Sequence, residues 1–257
     1  MSRVYRENYS HNPAFAEILV RDFEEKMRAA GTETKMYVFH KDNKLIAFCG
    51  FDEVGENGGE YMWGVNADKR LRGVGDVFLR TAIHKEAEEH DLSGLCSPGS
   101  PVASYYIDKS GFVAKRVFEN YGGSGEDGFE IVRVQDRSSR GYAADTMSRD
   151  DIIADAVDGK SLKADEKFFA DRDRGNKPII LKFRKQDERS VERPFVRFAQ
   201  ELMNQRGMVM TRYFFSGPKK NEIYAVFEQE RGESEAKGET LIPLKGHIFS
   251  ERGGSSE

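Results

Sequence analysis

The chain has 257 residues, enough for one large domain or two ordinary ones, with 38% hydrophobic and 33% charged residues. That balance is polar for a globular protein without being that of a disordered one, and a net charge of −4 argues against coating nucleic acid by charge alone. No apolar run approaches the roughly 20 residues of a membrane span. Met1-Ser2-Arg3-Val4-Tyr5 opens no signal-peptide core, so a cytoplasmic protein without a membrane partner is expected.

From the N-terminus, Pro13 to Ala30 carries Phe15, Ile18, Leu19, Phe23 and Met27 on a helical stripe, with Asn12 as N-cap and Gly31 as stop. Lys35 to His40 and Lys44 to Phe51 read as strands of a hairpin turned by Lys41-Asp42-Asn43. Cys49 and Cys96 lie in apolar, strand-like contexts far apart in sequence, the pattern of two buried, reduced thiols. After a glycine-rich loop, Tyr61-Met62-Trp63-Gly64-Val65 is a strand, and Val74 to His90 is an amphipathic helical segment with Val77, Phe78, Ala82, Ile83 and Ala87 as its apolar face.

Between that strand and that helix stands Arg70-Leu71-Arg72-Gly73-Val74-Gly75. A glycine-bearing turn into a helix leaves backbone N–H groups unobstructed, and the positive end of the helix dipole adds to their field. Arg70 and Arg72 put charge beside it, so the turn is suited to a phosphate. It is not a nucleotide-binding loop, because no Lys-Ser/Thr follows the glycines and no Gly-x-Gly-x-x-Gly is present. Further on, a short strand at Ser93 to Ser97 precedes Ala103-Ser104-Tyr105-Tyr106-Ile107-Asp108-Lys109-Ser110-Gly111-Phe112. Strands to about Phe118 and from Phe129 to Val134 then flank a turn-rich Gly122 to Gly128.

Two landmarks in this order resemble the GNAT acetyltransferases. The turn is similar to that family's Arg/Gln-x-x-Gly-x-Gly/Ala pyrophosphate loop, and Ala103 to Phe112 is similar to its Ala-x-x-Phe-Tyr-x-Lys-x-Gly-Phe segment. The resemblance covers about residues 1–135. It implies an α/β (α+β) fold with a mixed, mostly antiparallel sheet flanked by helices. It also implies acetyl-CoA as cofactor and direct transfer of the acyl group to an amine-bearing substrate in a ternary complex. Trp63, Gly64 and Val65 would then face the pantetheine arm, while Arg70, Arg72, Gly73, Val74 and Gly75 would hold the pyrophosphate.

The proton-transfer residues follow the family less closely. Its usual tyrosine acid falls at Ile107, leaving Tyr106, one residue earlier and about 100° around a helix, as the candidate acid or a packing aromatic. Its frequent asparagine falls at Ser100. For a base near the amine, Glu60 lies one residue off the register of a family glutamate and Tyr61 has the better parity; the alternative for Glu60 is a solvated strand-end carboxylate. These departures keep a second reading open, a catalytically inactive GNAT-like binding or structural protein. The five histidines show no metal spacing and read as structural or exposed, so no metal is assigned.

The rest of the chain resembles nothing identified. Residues 136–147 form a polar linker candidate, 148–230 a smaller α+β module, and 231–257 a charged linker and tail in which Leu241 to Phe249 reads as a last strand. In the module, Ser148 caps a helix containing Ile152, Ile153 and Val157 that Gly159 ends, and Leu162 to Ala170 reads as a helix. Then come a strand (Pro178 to Arg184), a helix capped by Ser190, and a hairpin of Met208 to Phe215 with Glu222 to Glu228. The stretch from Pro178 to Asn221 is basic, with Phe183, Tyr213, Phe214 and Phe215 among its cations. Such a face offers a single-stranded nucleic acid or an acidic protein a docking surface; the competing reading puts the aromatics in a core.

Overall fold

The computed structural model describes residues 6, 13, 16–17, 20–21, 24, 28, 34–41, 43–54, 59–67, 74–119, 127–133, 140–159, 177–186 and 191–230. Of these, 34, 41, 53–54, 59, 63–67, 74–76 and 79 are described for their backbone alone. The chain forms two compact units. One comprises residues 1–93, 122–124 and 237–257, and the other comprises 94–121 and 125–236.

In the first unit, residues 13, 16, 17, 20, 21, 24 and 28 are helical, as expected, with Ala16 and Val20 buried. The residues expected to form that helix's stripe and caps (Asn12, Phe15, Ile18, Leu19, Phe23, Met27 and Gly31) lie outside the described ones. Three antiparallel strands follow: β1 (Thr34–Lys41), β2 (Lys44–Val54) and β3 (Gly59–Ala67). Asn43, at φ 59°, makes the β1–β2 turn, a conformation asparagine tolerates better than most residues. The central strand β2 is buried on both faces from Ile46 through Phe51, which explains why its sequence is a continuous apolar run and not an alternation.

Helix α1 (Val74–Glu86) packs on β2 and β3 through Ala82 and Ile83, with Ala87 just beyond its end. Two expectations are corrected here. The helix stops at Glu86, and residues 87–89 form turns. Val77 is 66% exposed, because a residue five positions before Ala82 lies about 140° from it around the helix. The chain then enters β4 (Leu92–Cys96), whose first two residues belong to this unit.

The second unit begins within β4 and continues into α2 (Pro101–Lys109), β5 (Val113–Phe118) and β6 (Gly128–Arg133). Gly111, at φ 79°, turns the chain out of α2 and delivers Phe112 to the core, as expected from Gly-Phe. Ser148 caps α3 (Arg149–Asp155) in a reciprocal capping box with Asp151. This helix ends at Ala156, not Gly159, and Val157–Asp158 form a two-residue strand, β7, parallel to β8 (Ile179–Arg184). Gly159 has another role than a helix stop: a Cβ there would lie 2.0 Å from the Phe183 ring.

Helix α4 (Arg193–Ala199) has Glu192, not Ser190, as its N-cap, and Pro194 opens its first turn. Ser190 itself, Leu162 to Ala170, Gly122 to Glu126 and Leu241 to Phe249 lie outside the described residues. The hairpin β9 (Met208–Ser216) and β10 (Glu222–Gln229) matches expectation, and within this unit β6–β5–β9–β10–β8 pair antiparallel. The fold is thus the expected mixed, mostly antiparallel α+β arrangement.

A π-helical turn at Gln200–Gln205 joins α4 to β9 and marks how β5 is held. β5 pairs with β9 at Ala114↔Met210. Farther along β5, the Asn204 side chain accepts from Val117 N (3.1 Å) and donates to Val117 O (2.9 Å). An amide side chain thus does for Val117 what a neighbouring strand would do.

Candidate functional site

Described backbone brackets the glycine turn on both sides: β3 ends at Ala67 and α1 begins at Val74. Val74 and Gly75 are therefore the first two residues of a 13-residue helix, where amide N–H groups have no intrahelical acceptor. Arg70, Arg72 and Gly73 lie outside the described residues, and Trp63, Gly64 and Val65 are described as β3 backbone only.

At the other end of β3, several charged groups meet. Glu60 is only 2% exposed, which overturns its reading as a solvated strand-end carboxylate. Its backbone N–H donates to Asp91 O (2.8 Å), fixing the start of the strand. Its Oε1 accepts from Lys35 Nζ at 2.8 Å, and the same ammonium donates to Glu86 Oε2 at 2.9 Å. The Tyr37 hydroxyl donates to Glu86 Oε1, and His90 Nε2 lies 3.4 Å from Lys35 Nζ. β1 thus contributes Lys35 and Tyr37, β3 contributes Glu60, and the end of α1 with its following turn contributes Glu86 and His90.

Two buried carboxylates share one ammonium, and their titration diverges. Burial raises the Glu60 carboxyl above the usual range, and a carboxyl–carboxylate hydrogen bond with Glu86 and then its charge add to that, against the opposing pull of Lys35. Burial pushes Glu86 the same way, but hydrogen bonds from Tyr37 and Lys35 outweigh it and hold its carboxyl below the usual range. Hydrogen bonds to Glu60 and then Glu86 keep Lys35 protonated beyond the ordinary lysine range. The Tyr37 phenol is raised by burial and by Glu86, so it stays a donor at neutral pH. Glu60 Oε2, also buried, has no hydrogen-bond partner.

Glu60 faces the elements that carry Glu86 and His90, so Tyr61, next along β3, points to the opposite face and is half-buried there. The two residues considered as bases are therefore not brought together. Sequence reasoning missed Lys35, Tyr37, Glu86 and His90 as a group. The one available signal was the four-residue spacing of Glu86 and His90; Lys35 and Tyr37 become neighbours only through strand pairing.

In the second unit, Tyr106 is 1% exposed and packs on Phe112 with ring centroids 5.2 Å apart. Ile107 is equally buried, and Ser100 serves as the α2 N-cap, its hydroxyl accepting from Val102 N. The aromatics in the basic stretch are core residues: Phe183, Tyr213 and Phe214 are at most 2% exposed. Tyr213 donates to Pro98 O at 2.6 Å, and Phe214 stacks on Tyr224 with Arg149 over its other face. Base stacking needs open rings. Only Phe215 of the four is partly exposed, and Lys185 covers it.

Cys49 and Cys96 are buried and free. Burial pushes the Cys49 thiol up to about 12 and the Cys96 thiol higher still, so neither is a nucleophile at neutral pH. Among the described residues no helix is long and apolar enough to cross a membrane.

No family model matches the chain, and no curated protein matches it. Among solved structures, it is similar to a putative GNAT-family acetyltransferase from Desulfovibrio desulfuricans at 14% identity and a TM-score of 0.43, over 52% of this chain and 89% of that one. It is similar to an aminoglycoside 6'-acetyltransferase of type Ii at 15% identity and a TM-score of 0.39, over 52% of this chain and 86% of that one. A putative streptothricin acetyltransferase from Bacillus anthracis, solved with acetyl coenzyme A, matches at 22% identity and a TM-score of 0.34, over 40% of this chain and 64% of that one. These are likenesses of fold to part of the chain, and they carry nothing about what it binds or does.

Proposed function

We propose that the protein is an acetyl-CoA-dependent N-acyltransferase that transfers the acyl group directly to an amine. The observation that carries this reading is the position of Arg70-Leu71-Arg72-Gly73 between the end of β3 at Ala67 and the start of α1 at Val74. Helix-start amides, two glycines and two arginines are the chemistry a pyrophosphate needs. Trp63, Gly64 and Val65 would lie along the pantetheine arm, and Arg70 to Gly75 would hold the diphosphate.

Acyl transfer asks little more of the protein than position, a polarised thioester carbonyl, a neutral amine and a proton for the departing thiolate. We assign the acid to Tyr106 and a place beside the amine to Tyr61. Glu60 is the weaker base, since Lys35 and the neighbouring Glu86 already engage it. The alternative, a catalytically inactive binding or structural protein that docks through its C-terminal module, is favoured by one observation: the family's asparagine and tyrosine positions hold Ser100, occupied as a helix cap, and Ile107, buried.

A thermal-shift titration with acetyl-CoA tests the enzyme reading first. A midpoint that rises with millimolar cofactor supports the pyrophosphate loop, and an unmoved midpoint rejects the enzyme. Release of the coenzyme A thiol in the presence of amines then separates the two readings. Turnover that falls about 10²-fold or more in Tyr106→Phe supports the enzyme with its assigned acid. Full turnover in that variant removes Tyr106 from the mechanism.

A further inference from the structure

We propose that Glu60, Glu86 and His90 form a divalent-cation site for which the Lys35 ammonium is the built-in competitor. This goes beyond acyl transfer and does not depend on it. Three donor atoms from β3, α1 and the turn after α1 converge on one cation: Lys35 Nζ lies 2.8 Å from Glu60 Oε1, 2.9 Å from Glu86 Oε2 and 3.4 Å from His90 Nε2. One ligand atom from each of Glu60, Glu86 and His90 falls within 4.8 Å of the others. Metal–ligand bonds of about 2.0–2.2 Å put tetrahedral donors roughly 3.4 Å apart, so a contraction of at most about 1.4 Å completes the geometry.

An observation independent of the cluster's composition points the same way. Glu60 is 2% exposed, yet its buried Oε2 has no hydrogen-bond partner. A buried carboxylate oxygen without a donor is costly, and a divalent ion neutralises more of the charge of the Glu60–Glu86 pair than one ammonium does. Tyr37 already donates to Glu86, the outer contact that fixes a ligating carboxylate. The Lys35 side chain is 46% exposed, so its four-carbon stem can carry the ammonium out to water when an ion enters. One imidazole and two carboxylates suit zinc or a similar first-row dication. No covalent step is involved. The ion replaces the ammonium and any proton held on the carboxyl pair.

Calorimetric titration of the full chain with zinc, after chelator treatment, tests the site. We expect one zinc per chain, affinity at least about tenfold tighter in Lys35→Met, and affinity at least about tenfold weaker in Glu60→Gln and His90→Ala. Zinc should also raise the thermal midpoint of Lys35→Met more than that of the wild type, since the ion restores the charge that the variant lost. If Glu60→Gln proves misfolded by circular dichroism, His90→Ala, which changes a side chain that is 25% exposed, carries the same test. The proposal is overturned if neither wild type nor Lys35→Met binds zinc, or if Lys35→Met binds no tighter. It is equally overturned if binding survives His90→Ala but is lost in His84→Ala, which would place the ion on the exposed His84–Glu88 pair.

Discussion

Asp108 and Glu228 in the second unit and the Glu60–Glu86 pair in the first are buried acids treated in opposite ways, and Glu130 of the second unit, whose buried Oε2 also lacks a hydrogen-bond partner, sides with Glu60. In the second, the Asp108 side chain is 3% exposed and accepts from Arg212 (2.6 Å) and from Arg149. Glu228 is 4% exposed and takes the Ala143 amide (2.7 Å), the Ala144 amide (3.3 Å) and the Thr211 hydroxyl (2.7 Å). In the first unit, Glu60 and Glu86 press like charges together over a single lysine and leave one oxygen unmatched. A fully satisfied carboxylate ties segments together and needs nothing further. A half-satisfied one stores a demand for a proton or a cation, which is why the Lys35 cluster, and not Asp108, reads as a place where something binds.

Removing the second unit's supports should have the largest effect. A fragment ending at Ala144 tests whether residues 136–147 separate independent modules. It deletes Phe195 and Tyr213, which pack edge-on against Phe129, and Arg212, the better-buried cation on Asp108. We expect an insoluble fragment; a soluble one with cooperative unfolding would support that boundary.

Next, two substitutions should separate the two kinds of acid. Arg212→Met withdraws the better-buried partner of Asp108, along with hydrogen bonds to Ala144 O and Met147 O. It should cost about 3 kcal/mol by urea unfolding. Lys35→Met should cost less, about 2 kcal/mol, because the lysine is half-exposed and solvent already screens it.

Its signature is the pH dependence. With the ammonium gone, the pair gives up one charge by holding a proton on Glu60, the member whose carboxyl is already raised. A folded-state carboxyl raised above its unfolded value contributes stability that is present at low pH and lost as pH rises. The cost of Lys35→Met should therefore grow as pH rises above the ordinary glutamate range, and a cost independent of pH would mean the carboxylates do not interact.

The smallest effect is expected at Asn204. Its replacement by Ala strands one N–H and one C=O of Val117, for about 1–2 kcal/mol. Hydrogen exchange should show the Val117 amide losing protection before those of its neighbours in β5.

What could be read from sequence was what short-range chemistry dictates. The continuous apolar run of β2, the Gly111-Phe112 exit from α2, the Ser148 capping box and the β9–β10 hairpin each depend on residues within a few positions of one another. What escaped depends on pairing across distance. Val157 sits in β7 and not in the helix, beside a glycine, Gly159, at which any Cβ would strike the Phe183 ring, a residue 24 positions later. The Glu60 reading failed for the same reason: a lone glutamate at a strand's start gives no sign that Lys35, 25 residues earlier, and Glu86, 26 later, will close over it. Tyr106 and Tyr61, by contrast, remain assignments from motif position.

The central claim is that Arg70 to Gly75 is an acyl-CoA pyrophosphate loop, and calorimetry of acetyl-CoA binding to wild type and Gly73→Glu tests it most directly. A carboxylate at the turn should repel the diphosphate and abolish binding while the far-ultraviolet circular dichroism stays unchanged. Equal affinity in the two proteins, or no binding to the wild type at millimolar cofactor, would contradict it.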